Sequence, residues 1–257
     1  MNVSPVQTRL FRPPRDDLWQ LLATSLPALE ERTVVAVASK VVAIGEGRCV
    51  PVDAVPDKDA LIIREADWYL ERDLVPQRWV LPTLTHGVLI PSAGVDESNG
   101  AGHYILWPAD PAASARGIWR FLRRQFGLRH VGVLVTDSRS VPLRRGLVGF
   151  ALAACGFRPL RDYRRRRDLF GRPLRVSQTN LADGLAAAAV LAMGEGNERT
   201  PLAVLTDVPG IRFVSQVPRT RGRVGANDTL EVPIEEDLYR PFLAHVPWKA
   251  GGILRHR

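Results

Sequence analysis

The sequence predicts an α+β fold. Short apolar strands and amphipathic helices are interspersed along the chain. They lack the regular alternation of successive βαβ units, and no repeat or low-complexity linker separates them. Length and composition agree with this. The chain has 257 residues, 46% hydrophobic and 24% charged, as in an ordinary globular protein able to bury a sizeable core.

The elements follow in order. Residues 16–26 set Leu18, Leu21, Leu22 and Leu26 at helical spacing behind Asp16 and Asp17, an N-capped amphipathic helix. TVVAVA (Thr33–Ala38) is a buried strand, and SKVVAIGEGR closes it through Gly45 and Gly47. A weakly patterned helix is expected over 58–72, and short strands over 79–84, 88–90 and 104–107. In DPAASARGIWRFLRRQFG, Asp110 caps and Pro111 takes the first helical position. Ala115, Ile118, Trp119, Leu122 and Phe126 then form one apolar stripe. VGVLVTDS (131–138) is a buried strand ending in polar residues, 147–154 fits either state, and 174–177 is a strand. Asn180 caps an alanine-rich helix running to Met193, whose alanines at 186–189 let another backbone approach closely. It stops at Gly194-Glu195-Gly196, and 201–206 is a further strand.

Composition narrows the class of protein. The stretch MNVSPVQTRLFRPPRDD has no apolar core or small-residue cleavage site, so no signal peptide is expected. The longest apolar stretch, 181–193, contains Asp183 and Gly184 and is too short to span a bilayer. Cys49 and Cys155 each lie in or beside an apolar run, which predicts free thiols and a cytoplasmic setting. The histidines at 86, 103, 130, 245 and 256 show no zinc spacing.

The net charge of +8 comes mostly from arginine, densest in RPLRDYRRRRDLFGR (158–172). Arg164, Arg165, Arg166 and Arg167 admit three readings: a solvated face, a nucleic-acid contact, or a clamp for an anionic small molecule. Asp162 and Asp168 interrupt the run, and only Tyr163 and Phe170 could stack on bases. No nucleic-acid motif accompanies it, and no nucleic-acid partner is expected.

SAGVDESN (92–99) places two carboxylates and an amide where an apolar run ends. Its Gly, Asp, Ser and Asn are turn formers, so a plain turn is one reading. Asp137 in VTDS and Glu195 in MGEG repeat the design of Asp96: an apolar element stops, and a carboxylate with small polar neighbours follows. Hard cations such as Mg²⁺ or Mn²⁺ take a few carboxylates and hydroxyls together with phosphate oxygens, so the three positions also suit a metal–phosphate centre. Neither GxxxxGK[ST] nor GxGxxG occurs.

Several stretches have a familiar order and spacing: VASKVVAIGEGR (37–48), AGVDESN (93–99), DPAASAR (110–116), VGVLVTDS with LRRGLVGFA (143–151), DLFGRPLRVS (168–177) and LADGLAAAAVLAMGEG (181–196). Through them the chain resembles the coenzyme F420-0:L-glutamate ligases (γ-glutamyl ligases), most closely the branch assigned to folate metabolism. The resemblance implies that a nucleoside triphosphate, GTP or ATP, phosphorylates an acceptor carboxylate. The amine of L-glutamate then attacks the acyl phosphate. It implies Asp96 and Asp137 as ligands of one Mg²⁺ or Mn²⁺ ion, and Ser138 and Glu195 as ligands of a second. It implies nucleotide contacts by Arg9, Leu10, Phe11, Arg12, Ser39, Lys40, Asn99, Met193, Gly194 and Gly196.

The chain departs from the family pattern at two places. Ile44 stands where many F420 ligases have lysine, and Ser140-Val141 replaces Gly-Arg ahead of Arg144 and Arg145, which are retained as candidate anion stabilisers. These changes bear on acceptor and nucleotide specificity, and they leave open an inactive nucleotide- or anion-binding protein of the same fold. With the resemblance, Arg164 to Arg167 become candidates for holding an anionic cofactor acceptor. The resemblance further implies a ligase domain over 1–257, with two interleaved subdomains dividing near 80 and 180. It implies an intertwined homodimer with active sites near its interface. Residues 207–257 are expected as a C-terminal extension packing on the core or the partner subunit.

Overall fold

The computed structural model describes residues 1–216 and 230–252. Its elements begin with β1 (Asn2–Val6), α1 (Leu18–Ser25), β2 (Thr33–Ala38), α2 (Ser39–Glu46), β3 (Cys49–Pro51), α3 (Lys58–Glu65) and β4 (Trp68–Tyr69). They continue with β5 (Pro82–Thr85), β6 (Val88–Pro91), β7 (His103–Ile105), α4 (Pro111–Phe126), β8 (Val131–Ser140) and β9 (Leu147–Cys155). The last are β10 (Leu160–Asp162), β11 (Gln178–Asn180), α5 (Leu181–Met193), β12 (Leu202–Thr206), α6 (Arg240–Leu243) and β13 (Lys249–Ala250).

The architecture is mixed α+β. A five-stranded sheet runs in the order β1-β12-β2-β8-β9. β2 and β8 are parallel, and the other neighbours are antiparallel. After Thr33, β2 is apolar because both its faces are covered. Val35 and Val37 pack with Leu21, Leu22, Val41, Val42, Ile118 and Leu122 of α1, α2 and α4. Val34 and Ala36 pack with Ala182, Leu185, Ala186 and Ala189 of α5. Full burial of each such branched side chain contributes about 1.5–3 kcal/mol. A second core, built on Leu61, Ile62, Tyr69, Leu81, Val95 and Tyr104, lies in the stretch between α2 and α4. There β13-β4-β5-β6 form a four-stranded sheet and β3-β7 a pair.

The capping residues act as expected. Asp17, Asp110 and Asn180 each accept a backbone N–H from the first turn of α1, α4 and α5. Other expectations need correction. SKVVAIGE forms α2, ended by Gly47 in the left-handed conformation; its Val and Ile side chains favour strand locally, but packing against β8 and α1 overrides that preference. The helix expected over 58–72 stops at Glu65, and Trp68–Tyr69 is already strand. The strand expected from 79 starts at Pro82, leaving Trp79 exposed. Residues 174–177 are not strand; the pairing segment is Gln178–Asn180. The ambiguous 147–154 is strand, and β1 has no counterpart in the sequence reading.

The alanine block does admit a close neighbour. An ideal Cβ at Gly149 of β9 would stand 2.7 Å from Ala186 O and 2.6 Å from Val190 Cβ. Of the expected C-terminal extension, 217–229 and 253–257 lie outside the described residues. Within it, β13 pairs with β4 of the same chain. Among the described residues, no helix is long and apolar enough to cross a membrane.

Both cysteines are free. Burial pushes the Cys155 thiol up to about 12, against the opposing pull of Arg116 and Arg120. The nucleophile is the thiolate. We therefore expect a maleimide or disulfide reagent at mildly alkaline pH to leave Cys155 unmodified in the folded chain and to label it after denaturation. Peptide mapping of Cys155 would show this, and rapid native labelling would contradict its burial.

Candidate functional site

The site forms where β8 leaves the core. Strand side chains alternate between faces. Val133 and Val135 pack on the layer of α1, α2 and α4, and Leu134 packs toward α5. A register shift pairs Val135 with Ala153 but Thr136 with Ala151, so β9 absorbs the extra residue, Leu152, and β8 keeps its alternation. Asp137 consequently meets α2, and Ser138 meets the turn after α5.

On the first side, Asp137 Oδ2 accepts from Ser39 Oγ at 3.0 Å and from Trp107 Nε1 at 2.5 Å. Its Oδ1 accepts from the Ser138 backbone N–H at 2.8 Å. Ser39 opens α2, so the next side chain, Lys40, is carried to Asp96: Nζ stands 2.7 Å from Oδ2. Lys40 also donates to Ser98 O at 2.8 Å and Ser98 Oγ at 3.0 Å. The Ser98 backbone N–H and hydroxyl donate to Asp96, each at 2.8 Å. On the second side, Ser138 Oγ donates to Glu195 Oε2 at 3.2 Å. Asn99 Nδ2 donates to Gly196 O at 3.1 Å and ties the Asp96 turn to the Glu195 turn. Asp96 and Asp137 are thus neighbours at the start of α2, and Glu195 is joined to them through Ser138 and through the Asn99–Gly196 bond.

The charges are unequal. For Asp96, burial pushes upward, but the Lys40 ammonium and the Ser98 donors outweigh it, and the carboxyl is held below the usual range. For Asp137, burial wins and raises the carboxyl. Ser138, Trp107 and Ser39 pull it down, and the nearby Asp96 charge adds to the rise. Two carboxylates close enough to disfavour each other's charge are a setting that a divalent cation relieves. Among the described residues, no three His, Cys, Asp or Glu side chains group closely enough to hold a metal by themselves. The converging donors are all hard oxygens. Hard oxygens are the donor type that Mg²⁺ or Mn²⁺ takes, with water and phosphate oxygens completing the shell where the protein supplies no closed cage.

The other expected residues are placed as follows. Thr8 N donates to Arg199 O at 2.9 Å and sets the 9–12 stretch beside the turn after α5. Arg9 is engaged with Asp16 through paired 2.7 Å bonds, and Arg12 N donates to Asp16 Oδ2 at 3.0 Å. Leu10 is exposed, whereas Phe11 and Met193 bury their side chains in the two core layers. Phe11 and Met193 thus offer only backbone to a ligand, as does Gly194. Ile44 is buried in the core, and Lys40 is the cation facing Asp96. Arg144 and Arg145 lie exposed in the connection between β8 and β9.

The contacts of the arginine run lie within its own loop. It is rooted between β10 and β11, at the start of α5, and Glu195 follows the far end of that 13-residue helix, ~20 Å away. Arg164 pairs with Asp162, Arg166 lies over the Tyr163 ring, and Arg167 donates to Gly171 O. A groove of about 900 Å³ between α1, α2 and α4 contains none of the acidic cluster.

Sequence reasoning missed Trp107, Ser98 and Glu198. Glu198 Oε2 accepts from Gly196 N at 2.9 Å and braces the turn that carries Glu195. Ser98 lies inside the quoted motif, where its hydroxyl was the available signal. Trp107 carried no local signal beyond ending an expected strand.

Residues 6–207 match the family model described as F420-0:Gamma-glutamyl ligase. The chain is 36% identical over 221 residues to the coenzyme F420:L-glutamate ligase of Methanopyrus kandleri, covering 79% of this chain and 86% of that one. It is 33% identical to the enzyme of that name from Archaeoglobus fulgidus, over 80% of this chain and 87% of the relative. For the one from Methanothermobacter thermautotrophicus the identity is 31%, over 76% and 84%. The class of protein is therefore an enzyme, an acid–amino-acid ligase. The chain belongs to the F420-0:gamma-glutamyl ligase family.

Proposed function

We propose that this ligase joins L-glutamate, through a γ-linked amide, to a cofactor acceptor, either coenzyme F420-0 or a folate-like molecule. GTP or ATP is the co-substrate, with two Mg²⁺ or Mn²⁺ ions. One observation carries the reading: Asp96 and Asp137 are both bonded to the start of α2, through Lys40 and Ser39, while the next residue of β8, Ser138, is bonded to Glu195. The names of the relatives favour F420 chemistry.

The reaction balances as follows. An acceptor carboxylate oxygen takes the γ-phosphoryl group, releasing nucleoside diphosphate and forming an acyl phosphate. The glutamate amine attacks the acyl carbon, phosphate leaves, the amine gives up its proton and an amide remains. The divalent ions neutralise charge that shifts during phosphoryl transfer. Asp96 and Asp137 would hold one, Ser138 and Glu195 the other. Lys40 and the first N–H groups of α2, which no side chain caps, suit the phosphates. Arg164 to Arg167 would attract the anionic acceptor.

A cytoplasmic, intertwined homodimer of two-subdomain protomers completes the reading. What supports the dimer is apolar side chains left to solvent on two segments: Leu143, Leu147, Leu169, Phe170 and Val176. Sedimentation as a monomer at working concentrations would remove the dimer from the reading.

The test incubates the purified chain with Mg²⁺ or Mn²⁺, ATP or GTP, L-glutamate and a panel of F420-type and folate-type acceptors. Mass spectrometry should show an acceptor gaining one glutamyl residue, with nucleoside diphosphate formed in step. No gain with any acceptor would leave an inactive nucleotide-binding member of the family.

A further inference from the structure

Trp107 is a large side chain that touches both of the carboxylate-bearing segments assigned above to the first metal ion. It is almost wholly buried, yet its indole N–H points out of the core to Asp137 Oδ2. Its ring lies against Gly94, where an ideal Cβ would fall 2.2 Å from the indole. Only glycine leaves room there, and with φ +70° the position also favours glycine conformationally.

The backbone around this contact is closely tied. Asp96 N donates to Ile105 O at 3.0 Å, and Ile105 N returns a bond to Asp96 O at 2.7 Å. Two residues later the Trp107 carbonyl accepts from Arg48 Nε at 3.1 Å. Arg48 is held in turn by Glu65. The ring is flanked by Phe150 at 6.2 Å and His86 at 6.2 Å. The indole therefore has one seat, and that seat fixes the distance between the Asp96 turn and the Asp137 carboxylate.

We propose that Trp107 is a positioning residue: its N–H orients the Asp137 carboxylate, and its ring sets the Asp96 turn in register with it. This rests on the metal reading of Asp137. Hydrogen bonds to a ligating carboxylate fix its orientation, and their loss lowers metal affinity about 10- to 100-fold. If the indole only fills the core, its N–H is dispensable.

The experiment uses the full chain with Mn²⁺ and a non-hydrolysable nucleotide, with bound Mn²⁺ measured by electron paramagnetic resonance and fold by thermal melting. Trp107→Phe keeps a packed ring without the donor, and Mn²⁺ affinity should fall about 10- to 100-fold while the melting transition stays cooperative. Trp107→His, which restores a ring N–H, should recover part of that affinity. Gly94→Ala, which displaces the ring without touching Asp137, should reproduce the Phe defect. Mn²⁺ affinity in Trp107→Phe equal to the parent's would overturn the inference alone. A parent chain that binds no Mn²⁺ with nucleotide would instead overturn the metal reading beneath it.

Discussion

Asp137→Asn is expected to lower glutamate ligation by on the order of 10²- to 10³-fold, the scale on which removing one preorganised electrostatic group acts. The chain should stay folded. The amide matches the carboxylate in shape, and its oxygen still accepts from Ser39 and Trp107. What goes is the negative charge at the point where β8 meets α2. Two smaller effects on stability oppose each other. Removing a carboxyl that burial disfavours is stabilising. Turning an N–H toward the Ser138 N–H, which now donates to Oδ1, is destabilising. The unsatisfied N–H costs about 1–3 kcal/mol and the relieved carboxyl acts in the opposite direction, so the melting temperature should move little. Product formation by mass spectrometry, with calorimetry alongside, separates loss of chemistry from loss of fold. Undiminished ligation in a well-folded Asp137→Asn chain would remove Asp137 from the catalytic centre.

Gly149→Val should be the most destabilising single change in the main sheet. Its Cβ would land inside contact distance of both Val190 Cβ and the Ala186 carbonyl. Neither neighbour is the flexible end of a side chain, so α5 must move away from β9. Overpacking of this kind costs about 3 kcal/mol or somewhat more. For a chain of this size that is a fall in melting temperature of roughly 6–12 °C. The shift should also reach the site, because α5 ends at Met193 and Glu195 follows at once. Gly149→Val is therefore expected to weaken ligation at temperatures where it is still folded. A melting temperature within a degree of the parent's would show that the helix–sheet contact is looser than described.

Much of this fold is legible locally. α4 and α5 could be placed from their caps, Asp110 and Asn180, and β2 from an unbroken apolar run. Those signals are short-range and do not compete with tertiary packing. α2 was not legible, because Val41, Val42 and Ile44 favour strand until neighbours bury one side of a helix. β1 was hidden for a related reason. Asn2, Ser4 and Pro5 look like loop, and only pairing with β12 makes the segment a strand.

The acidic residues of the site were legible as a type, carboxylates just past element ends. Which of them meet was not. The bonds that join them link residues 56 to 98 positions apart, and those distances close only through the order of strands in the sheet. Trp107 was missed because a buried aromatic at a strand end normally signals packing. Its second role appears only once Gly94 and Asp137 are seen on either side of it.

The alternation along β8 places a constraint of parity on the enzyme. Asp137 and Ser138 face different neighbours because an odd step separates them, and the strand sends odd and even positions to different layers. Inserting one residue between Val131 and Thr136 would exchange the two side chains between layers. Inserting two would restore them at the expense of reach. Unless a bulge absorbs the extra residue, as β9 does at Leu152, the spacing from the buried start of β8 to its polar end can vary only in pairs.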